Sequence, residues 1–384
     1  MKILHTVEFY DPSPGGAQEV VKQLSERMAA AGHDVTVATT RLKERTKKTI
    51  NGVKIAEFAC SGNTVVGMSG ETKRYQDFLR QGDFDIMMNY AAQQWATDLV
   101  YDIIDEIPYK KVISPCGYSA LRNPDFKDYF AKLPAILRQY DASTYVSSSY
   151  QDIVFARQHH LRNLHVIPNG ANEKEFLKRG ERDAFRRKHG IDGFMMMSIG
   201  NHTGAKGHYE MMAATAQLDF PATLVIQGKL DFGCLKTCQR QADIINRQYP
   251  DKRVIILQAE RAETVQALWA ADVFLLLSNV EASPVVLFEA LAVAIPFIST
   301  DVGNAREIAR WTSDGLIAKT SPDVVNQGNA MVYLDDAVRC ITKLYKNPAL
   351  RRHMGERGRR AWEEKFTWDA ITKQYLELYE RILK

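Results

Sequence analysis

The 384-residue sequence predicts an α/β protein made of two doubly wound parallel-sheet domains that face a cleft. Short apolar runs with strand character alternate with amphipathic helical segments from the second residue onward. The alternation pauses at a turn near residues 168–170 and restarts at Phe194. The chain also exceeds the roughly 250–300 residues at which a single core stops growing.

Lys2–Val7 reads as a buried strand, and Gly15-Gly16 then leads into a helix. That helix carries Val20, Val21, Leu24, Met28 and Ala31 at helical spacing and is ended by Gly32. Strands are expected at Asp34–Ala38, Val53–Phe58, Ile86–Asn89, Lys111–Ser114 and Thr144–Ser147, which makes residues 1–167 the first domain. His165-Val166-Ile167-Pro168-Asn169-Gly170 reads as a strand stopped by a turn. The second domain, residues 168–365, has strands at Phe194–Ile199, Ala222–Gln227, Val254–Leu257, Val273–Leu277 and Phe297–Thr300, each followed by a helical pattern. Phe366-Thr367-Trp368-Asp369 opens a last helix, residues 366–384, whose apolar residues are Ile371, Tyr375, Leu376, Leu378, Tyr379 and Ile382.

With 45% hydrophobic and 25% charged residues, the composition is that of a globular enzyme and excludes disordered and fibrous classes. The net charge of +4 is interspersed along the chain, so no nucleic-acid partner is expected. The one basic run, Arg41-Leu42-Lys43-Glu44-Arg45-Thr46-Lys47-Lys48, reads as a solvated loop or as a contact for an anionic membrane surface or acidic acceptor. Five scattered cysteines, Cys60, Cys116, Cys234, Cys238 and Cys340, do not form a disulfide framework. Cys234 and Cys238 are followed by no matching Cys or His pair, so no zinc or other metal site is expected. A reducing cytoplasm fits this cysteine usage. The N-terminus has too few apolar residues for a signal peptide and no apolar run approaches about 20 residues, so the protein is read as soluble, with at most peripheral contact at the inner face of a membrane.

The chemistry is carried by Glu281-Ala282-Ser283-Pro284-Val285-Val286-Leu287-Phe288-Glu289. Glu281 follows an apolar strand, and Glu289 sits about two turns inside a helix that Ser283 is expected to cap and Pro284 to open. The Val285 and Val286 amides would then face outward from a helix N-terminus, where peptide dipoles favour an anion such as a phosphate. Glu289 is flanked by apolar residues, a setting in which a carboxylate is seldom placed without a partner. The plainer reading makes Glu281 a solvated loop acid and Glu289 a surface residue. A second anion-binding candidate is Ser198-Ile199-Gly200-Asn201-His202-Thr203-Gly204-Ala205-Lys206-Gly207, a strand–turn–helix loop in which Lys206 adds a point charge.

The two glutamates, with Ala290-Leu291-Ala292 and Pro296-Phe297-Ile298-Ser299-Thr300 after them, resemble the acidic signature of family 4 glycosyltransferases. The resemblance implies the GT-B fold, with two Rossmann-like domains facing a cleft and a C-terminal helix crossing back to the N-terminal domain. It implies retaining, metal-independent transfer of a sugar from a nucleotide-sugar donor to a glycan, lipid-linked or small-molecule acceptor in polysaccharide or glycoconjugate biosynthesis. No cofactor is implied; the co-substrate is a nucleotide sugar, with a UDP-sugar the leading expectation. Because the family reads the base largely through backbone groups, near Gly228 with Lys229 and near Ala259 here, side chains leave the nucleotide open.

The same resemblance implies that Glu289 binds the ribose hydroxyls and Glu281 the transferred sugar, while Lys206 and the Val285 and Val286 amides meet the leaving diphosphate. Ser283, Pro284 and the loop residues Gly200, Asn201 and His202 fall in the same donor site, and Gly15 and Gly16 match the family's Gly-Gly loop. Two positions depart from the pattern. Asn201 stands where the family has Arg, so either Asn201 or His202 hydrogen-bonds the diphosphate with weaker charge compensation or the donor sits differently. Cys116, in Ser114-Pro115-Cys116-Gly117-Tyr118, stands where the family often has His, making Cys116, Gly117 and Tyr118 sugar or acceptor candidates. Acceptor loops are expected at Ser61–Gly70 and Arg122–Lys132, where Tyr118, Phe126, Tyr129 and Phe130 either stack on a sugar or pack in a core. A nucleotide-sugar 2-epimerase on the same fold and a non-catalytic nucleotide-sugar-binding protein are the alternatives.

Overall fold

The computed structural model describes residues 1–177, 181–228, 233–321 and 331–384. It divides into two compact units, one formed by Met1–Asn169 with Trp368–Lys384 and the other by Gly170–Thr367.

The first unit contributes β1 (Lys2–Thr6), β2 (Asp34–Thr40), β3 (Thr49–Ile50), β4 (Val53–Phe58), β5 (Cys60–Asn63), β6 (Gly67–Gly70), β7 (Ile86–Tyr90), β8 (Lys110–Ser114), β9 (Ala142–Tyr145) and β10 (Leu164–Val166). Among the described residues its main sheet runs in the order β10-β9-β8-β7-β1-β2-β4-β3. All neighbours are parallel except β3 and β4. Parallel strands are covered by helices on both faces, which is why Ile86–Tyr90 and Ala142–Tyr145 are buried throughout.

The helix Trp368–Leu383 belongs to this unit and packs on Gly16–Ala30, burying Ile371, Tyr375, Leu378 and Tyr379. His5, buried in β1, joins the two helices through Ser25 Oγ at 2.7 Å and Tyr379 Oη at 3.2 Å. Burial pushes the His5 imidazole down to about 3, so it acts as a neutral bridge.

Several expectations change here. Cys60–Asn63 and Gly67–Gly70 pair as an antiparallel hairpin, so most of Ser61–Gly70 is strand rather than open loop. Arg122–Lys132 runs into the helix Lys127–Leu137. Tyr118, Phe126, Tyr129 and Phe130 all lie in one buried aromatic cluster with Phe155, with Tyr118 only 1% exposed. Their rings fill a core because edge-to-face packing there removes their area from water, so Tyr118 is not placed to stack on a sugar. Nor is the basic run simply solvated. Arg45 is buried, bonds Glu57 at 2.8 Å and donates to the carbonyls of Tyr10, Asp11 and Thr40, while Arg41 and Lys48 meet Glu71 and Glu57.

The second unit contributes β11 (Phe194–Ile199), β12 (Ala222–Gln227), β13 (Lys252–Leu257), β14 (Val273–Leu276), β15 (Phe297–Ser299), β16 (Leu316–Ile317) and the short pair β17 (Thr320–Ser321) and β18 (Met331–Val332). Its main sheet, in the order β13-β12-β11-β14-β15-β16, is parallel throughout. Residues alternate between two cores. Phe194, Met196, Leu224, Ile226, Val273 and Leu275 enter one, and Met195, Met197, Val225, Phe274 and Leu276 enter the other. The chain steps outward from β11 through β12 to β13, then returns to lay β14 on the opposite side of β11. Strand order therefore reverses between β11 and β14, and their carboxyl ends lie side by side at the kind of point where doubly wound sheets hold their ligands.

Candidate active site

The loop after β11 and the segment after β14 meet at this point of strand-order reversal. Lys206 Nζ donates to Glu281 Oε1 at 2.7 Å, with the Lys206 side chain 28% and the Glu281 side chain 14% exposed. The backbone enforces the meeting, since Asn279 N–H donates to Ala205 O at 2.8 Å. Gly207 (φ +67°) lies so close to Leu277 that a Cβ there would stand 1.9 Å from the Leu277 carbonyl oxygen. The loop is tied to the neighbouring strand end as well, through Gly200 N–H to Gln227 O at 2.9 Å.

Glu281 also sits on a braced segment. Asn304 N–H donates to Ala282 O at 3.1 Å, and Asn304 Nδ2 donates to Ser283 Oγ at 3.0 Å. This corrects the expected cap. The helix runs Val285–Ala292 with Pro284, which has no hydrogen-bonding side chain, at its N-cap position, and the preceding Ser283 hydroxyl accepts from Asn304. Val285 and Val286 are the first helical residues, as an anion site at this end requires. Glu289 is the fifth residue of the helix, a little over one turn in rather than two.

Glu289 is 7% exposed and accepts from Arg261 Nη2 at 2.7 Å. Arg261 reaches Glu175 as well, at 2.6 and 3.1 Å, so one guanidinium fork holds two carboxylates. The sequence signals that a buried Glu289 needs a partner; only the fold names Arg261, 28 positions away. Gln227, at the end of β12, is tied to Ala259. Its side-chain amide takes the Ala259 N–H at 3.0 Å and donates to the Ala259 carbonyl at 3.0 Å, so the Ala259 amide expected near the base is already committed. Gly228 packs against the Lys206 loop, with a Cβ there falling 2.2 Å from Gly200 O; Lys229 lies outside the described residues.

Asn201 is exposed on the loop, whereas His202 is 0% exposed. Burial holds both His202 and His208 below the ordinary imidazole range, His208 at about 4, where the His202 and Lys206 charges add to the effect. His202 is buried and held below its ordinary range, which leaves Lys206 as the loop's cation. No matching Cys or His pair follows Cys234 and Cys238, but a pair before them lies close in space. His202 and His208, which precede them in sequence, come within 4.8 Å of both.

In the first unit, Gly15 and Gly16 are exposed at the N-terminus of Gly16–Ala30. Cys116, Gly117 and Tyr118 form a turn with φ of +60°, +103° and +48°. Asp152 Oδ2 accepts from Gly117 N–H at 2.9 Å, and Gln151 Nε2 donates to the Gly117 and Tyr118 carbonyls at 2.7 and 2.9 Å. Burial pushes the Cys116 thiol up to about 11, against the bond from Tyr90, so it is no nucleophile at neutral pH.

The description glycosyltransferase family 4 matches residues 14–175, and glycosyl transferases group 1 matches residues 181–361, in series along the chain. The chain belongs to the family 4 glycosyltransferases. Its relatives include N-acetyl-α-D-glucosaminyl L-malate synthase of Bacillus anthracis, 22% identical over 97% of this chain and 96% of that protein. Among solved structures, this glycosyltransferase is similar to sucrose-phosphate synthase from Thermosynechococcus elongatus, with a TM-score of 0.79, 18% identity and coverage of 99% and 98%. It is similar also to Anabaena HepE in complex with UDP, with a TM-score of 0.77, 16% identity and coverage of 99% and 100%. The fold is GT-B, with a Rossmann-like parallel sheet in each unit.

Proposed function

We propose that this glycosyltransferase moves a sugar from a UDP-sugar, with retention at the anomeric carbon, to a glycan, lipid-linked or small hydroxyl acceptor in cell-surface polysaccharide or glycoconjugate synthesis. The observation that carries this reading is the Lys206–Glu281 pair at the strand-order reversal of the second unit, beside the N-terminus of Val285–Ala292. As the bond from C1 to the diphosphate oxygen breaks, its electron pair leaves with the nucleotide. The growing negative charge meets Lys206 and the Val285 and Val286 amides, fixed donors that need little reorganisation. That set of donors is the basis for proposing a transfer that requires no divalent cation at the diphosphate.

Glu281 plays two parts in this reading. It holds Lys206 in place before the donor arrives, and its carboxylate then orients the hydroxyls of the transferred sugar. Glu289, held by Arg261, presents a fixed carboxylate to the ribose hydroxyls. HepE, solved with UDP, supports a UDP-linked donor, and the B. anthracis relative, named for an N-acetylglucosaminyl product, supports transfer of a sugar.

The test is calorimetric titration with UDP, GDP, ADP and dTDP, without metal and then with magnesium, followed by a transfer assay whose product anomer is read by NMR. Selective, metal-independent UDP binding that is lost in Glu289→Ala is expected, with a product of the same anomeric configuration as the donor. Binding to none of the four nucleotides overturns the donor-site assignment, and an inverted product overturns the stereochemistry.

A further inference from the structure

Four side chains with metal-ligand chemistry converge in the second unit, and none of them is Lys206, Glu281 or Glu289. His202 lies on the loop after β11, and His208 begins the helix His208–Ala216. Cys234 stands at the N-cap of the helix Leu235–Gln248, and Cys238 lies one turn further, so both sulfurs share one helix face. One ligand atom from each residue lies within 4.8 Å of all the others. Cys234 Sγ is 3.5 Å from Cys238 Sγ and 3.9 Å from His202 Nδ1, and the two imidazole centroids are 4.7 Å apart. Residues 229–232, just before Gly233, lie outside the described residues, and none of the four ligands is among them.

The surroundings ask for a ligand. His202, His208 and Cys238 are 0%, 3% and 3% exposed. Nε2 of His202 and both ring nitrogens of His208 have no hydrogen-bond partner among the described residues. A buried imidazole whose donor and acceptor are both unmet is costly, and a metal ion satisfies it directly. The backbone is built to bring the parts together. Cys234 N–H donates to His202 O at 2.9 Å, and a Cβ on Gly233 would fall 2.2 Å from that same oxygen, so only glycine lets the chain close there. All five cysteines are free thiols, so Cys234 and Cys238 are available as thiolates.

We propose that His202, His208, Cys234 and Cys238 bind one zinc ion in a closed tetrahedral site that clamps the Lys206 loop to the helix Leu235–Gln248. Bonds of about 2.0–2.1 Å to nitrogen and about 2.3 Å to sulfur space tetrahedral ligand atoms roughly 3.3–3.8 Å apart, close to the shorter separations found and reached from the longer ones by side-chain rotation. Two thiolates and two imidazoles select zinc among the abundant divalent ions, and two thiolates cancel its charge. Binding releases the two thiol protons to solvent. With four protein ligands no coordination position remains for water or substrate, so the ion is structural and takes no part in the transfer. The site does not depend on the nucleotide-sugar reading. It gives a physical reason for His202 at this loop position, since the imidazole points inward to the ion rather than outward to the diphosphate.

The experiment is metal analysis of the full chain purified without chelator or metal-affinity resin, with cobalt substitution as a second readout. One zinc per chain is expected, released by chelator with a fall in melting temperature and restored by zinc. Cobalt should give thiolate charge-transfer bands and the intense visible bands of a tetrahedral centre. His208→Ala and Cys238→Ser should lose the ion while retaining their far-UV circular dichroism. His208→Cys should keep zinc and add thiolate intensity to the cobalt spectrum. If the variants do not fold, cobalt titration of the metal-free parent decides. Only trace metal in the reduced protein together with no tetrahedral cobalt spectrum, a cobalt spectrum unchanged in folded Cys238→Ser, or a Cys234–Cys238 disulfide in protein kept reduced would overturn the proposal.

Discussion

Lys206 Nζ lies 2.7 Å from Glu281 Oε1, although the two residues are 75 positions apart and stand on loops from strands β11 and β14. The contact is only partly buried, so it adds little to folding and is free to exchange one partner for an arriving anion. Lys206→Ala is expected to lower turnover by on the order of 10²-fold or more, because positive charge is lost where negative charge grows. The cost in unfolding free energy should stay below about 1 kcal/mol, as for other partly exposed ion pairs. Steady-state kinetics with saturating donor, paired with denaturant unfolding, separates the two; a stability loss that matches the activity loss would refute a role at the diphosphate.

Arg261 makes a different kind of contact. Its removal in Arg261→Ala leaves the nearly buried Glu289 carboxylate without this guanidinium, and Glu175 loses the same partner. Nucleotide affinity is expected to fall about as much as in Glu289→Ala, and Arg261→Lys should recover little because an ammonium cannot span both carboxylates as a fork. Titration of UDP into the three variants checks this, and an Arg261→Ala protein with parental affinity would dissociate Arg261 from the site.

Gly207 sets the height of the Lys206 loop over β14. Gly207→Ala adds a methyl 1.9 Å from the Leu277 carbonyl oxygen and imposes a φ of +67° on a residue with a Cβ. The expected cost is at least about 1–3 kcal/mol in stability, with turnover falling beyond what the lost folded fraction explains. Gly204→Ala makes a matched control, since its φ is also positive but nothing crowds the added Cβ. Equal effects in the two variants would mean that backbone strain alone, and not docking on Leu277, governs the loop.

Asp314 carries a pH dependence. It is buried in the second unit, accepts from Gly315 N–H, and burial raises its carboxyl from the usual 3.8 to about 7, against the weaker pull of Arg357. Between these values the folded chain holds a proton that the unfolded chain has released, so stability falls as pH rises from about 4 to about 7. Asp314→Asn removes that slope. The difference in unfolding free energy between variant and parent should therefore shift in favour of the variant across this window by up to about 4 kcal/mol. Urea titrations at pH 4.5, 5.5 and 7 read it, and parallel pH profiles would show that Asp314 titrates normally.

Local regularities carried much of the fold into the sequence. Strands Val53–Phe58, Phe194–Ile199 and Ala222–Gln227 have the expected ends, because a short run rich in apolar and β-branched residues reads as a strand and Gly52, Gly193, Gly200, Pro221 and Gly228 mark where such runs start or stop. The aromatics near residue 118 were ambiguous at that local level. A ring that packs a core and a ring that stacks on a sugar have the same helical spacing, and only the cluster around Phe155 separates them.

The two glutamates, the lysine loop and a helix starting within a residue of Val285 were legible from residues 198–207 and 281–289 alone, since each rests on short-range spacing. What those residues touch was decided by tertiary structure. Lys206 meets Glu281, Arg261 meets Glu289, and Asn304 meets the Ser283 hydroxyl. His202 and His208 come to face Cys234 and Cys238 only because the loop after β11 folds against the start of a helix some thirty residues later. Strand order determines these meetings. A parallel sheet inserts long crossovers between neighbours, so β11 and β14 lie side by side while more than seventy residues separate them, and no local period in the sequence encodes that adjacency.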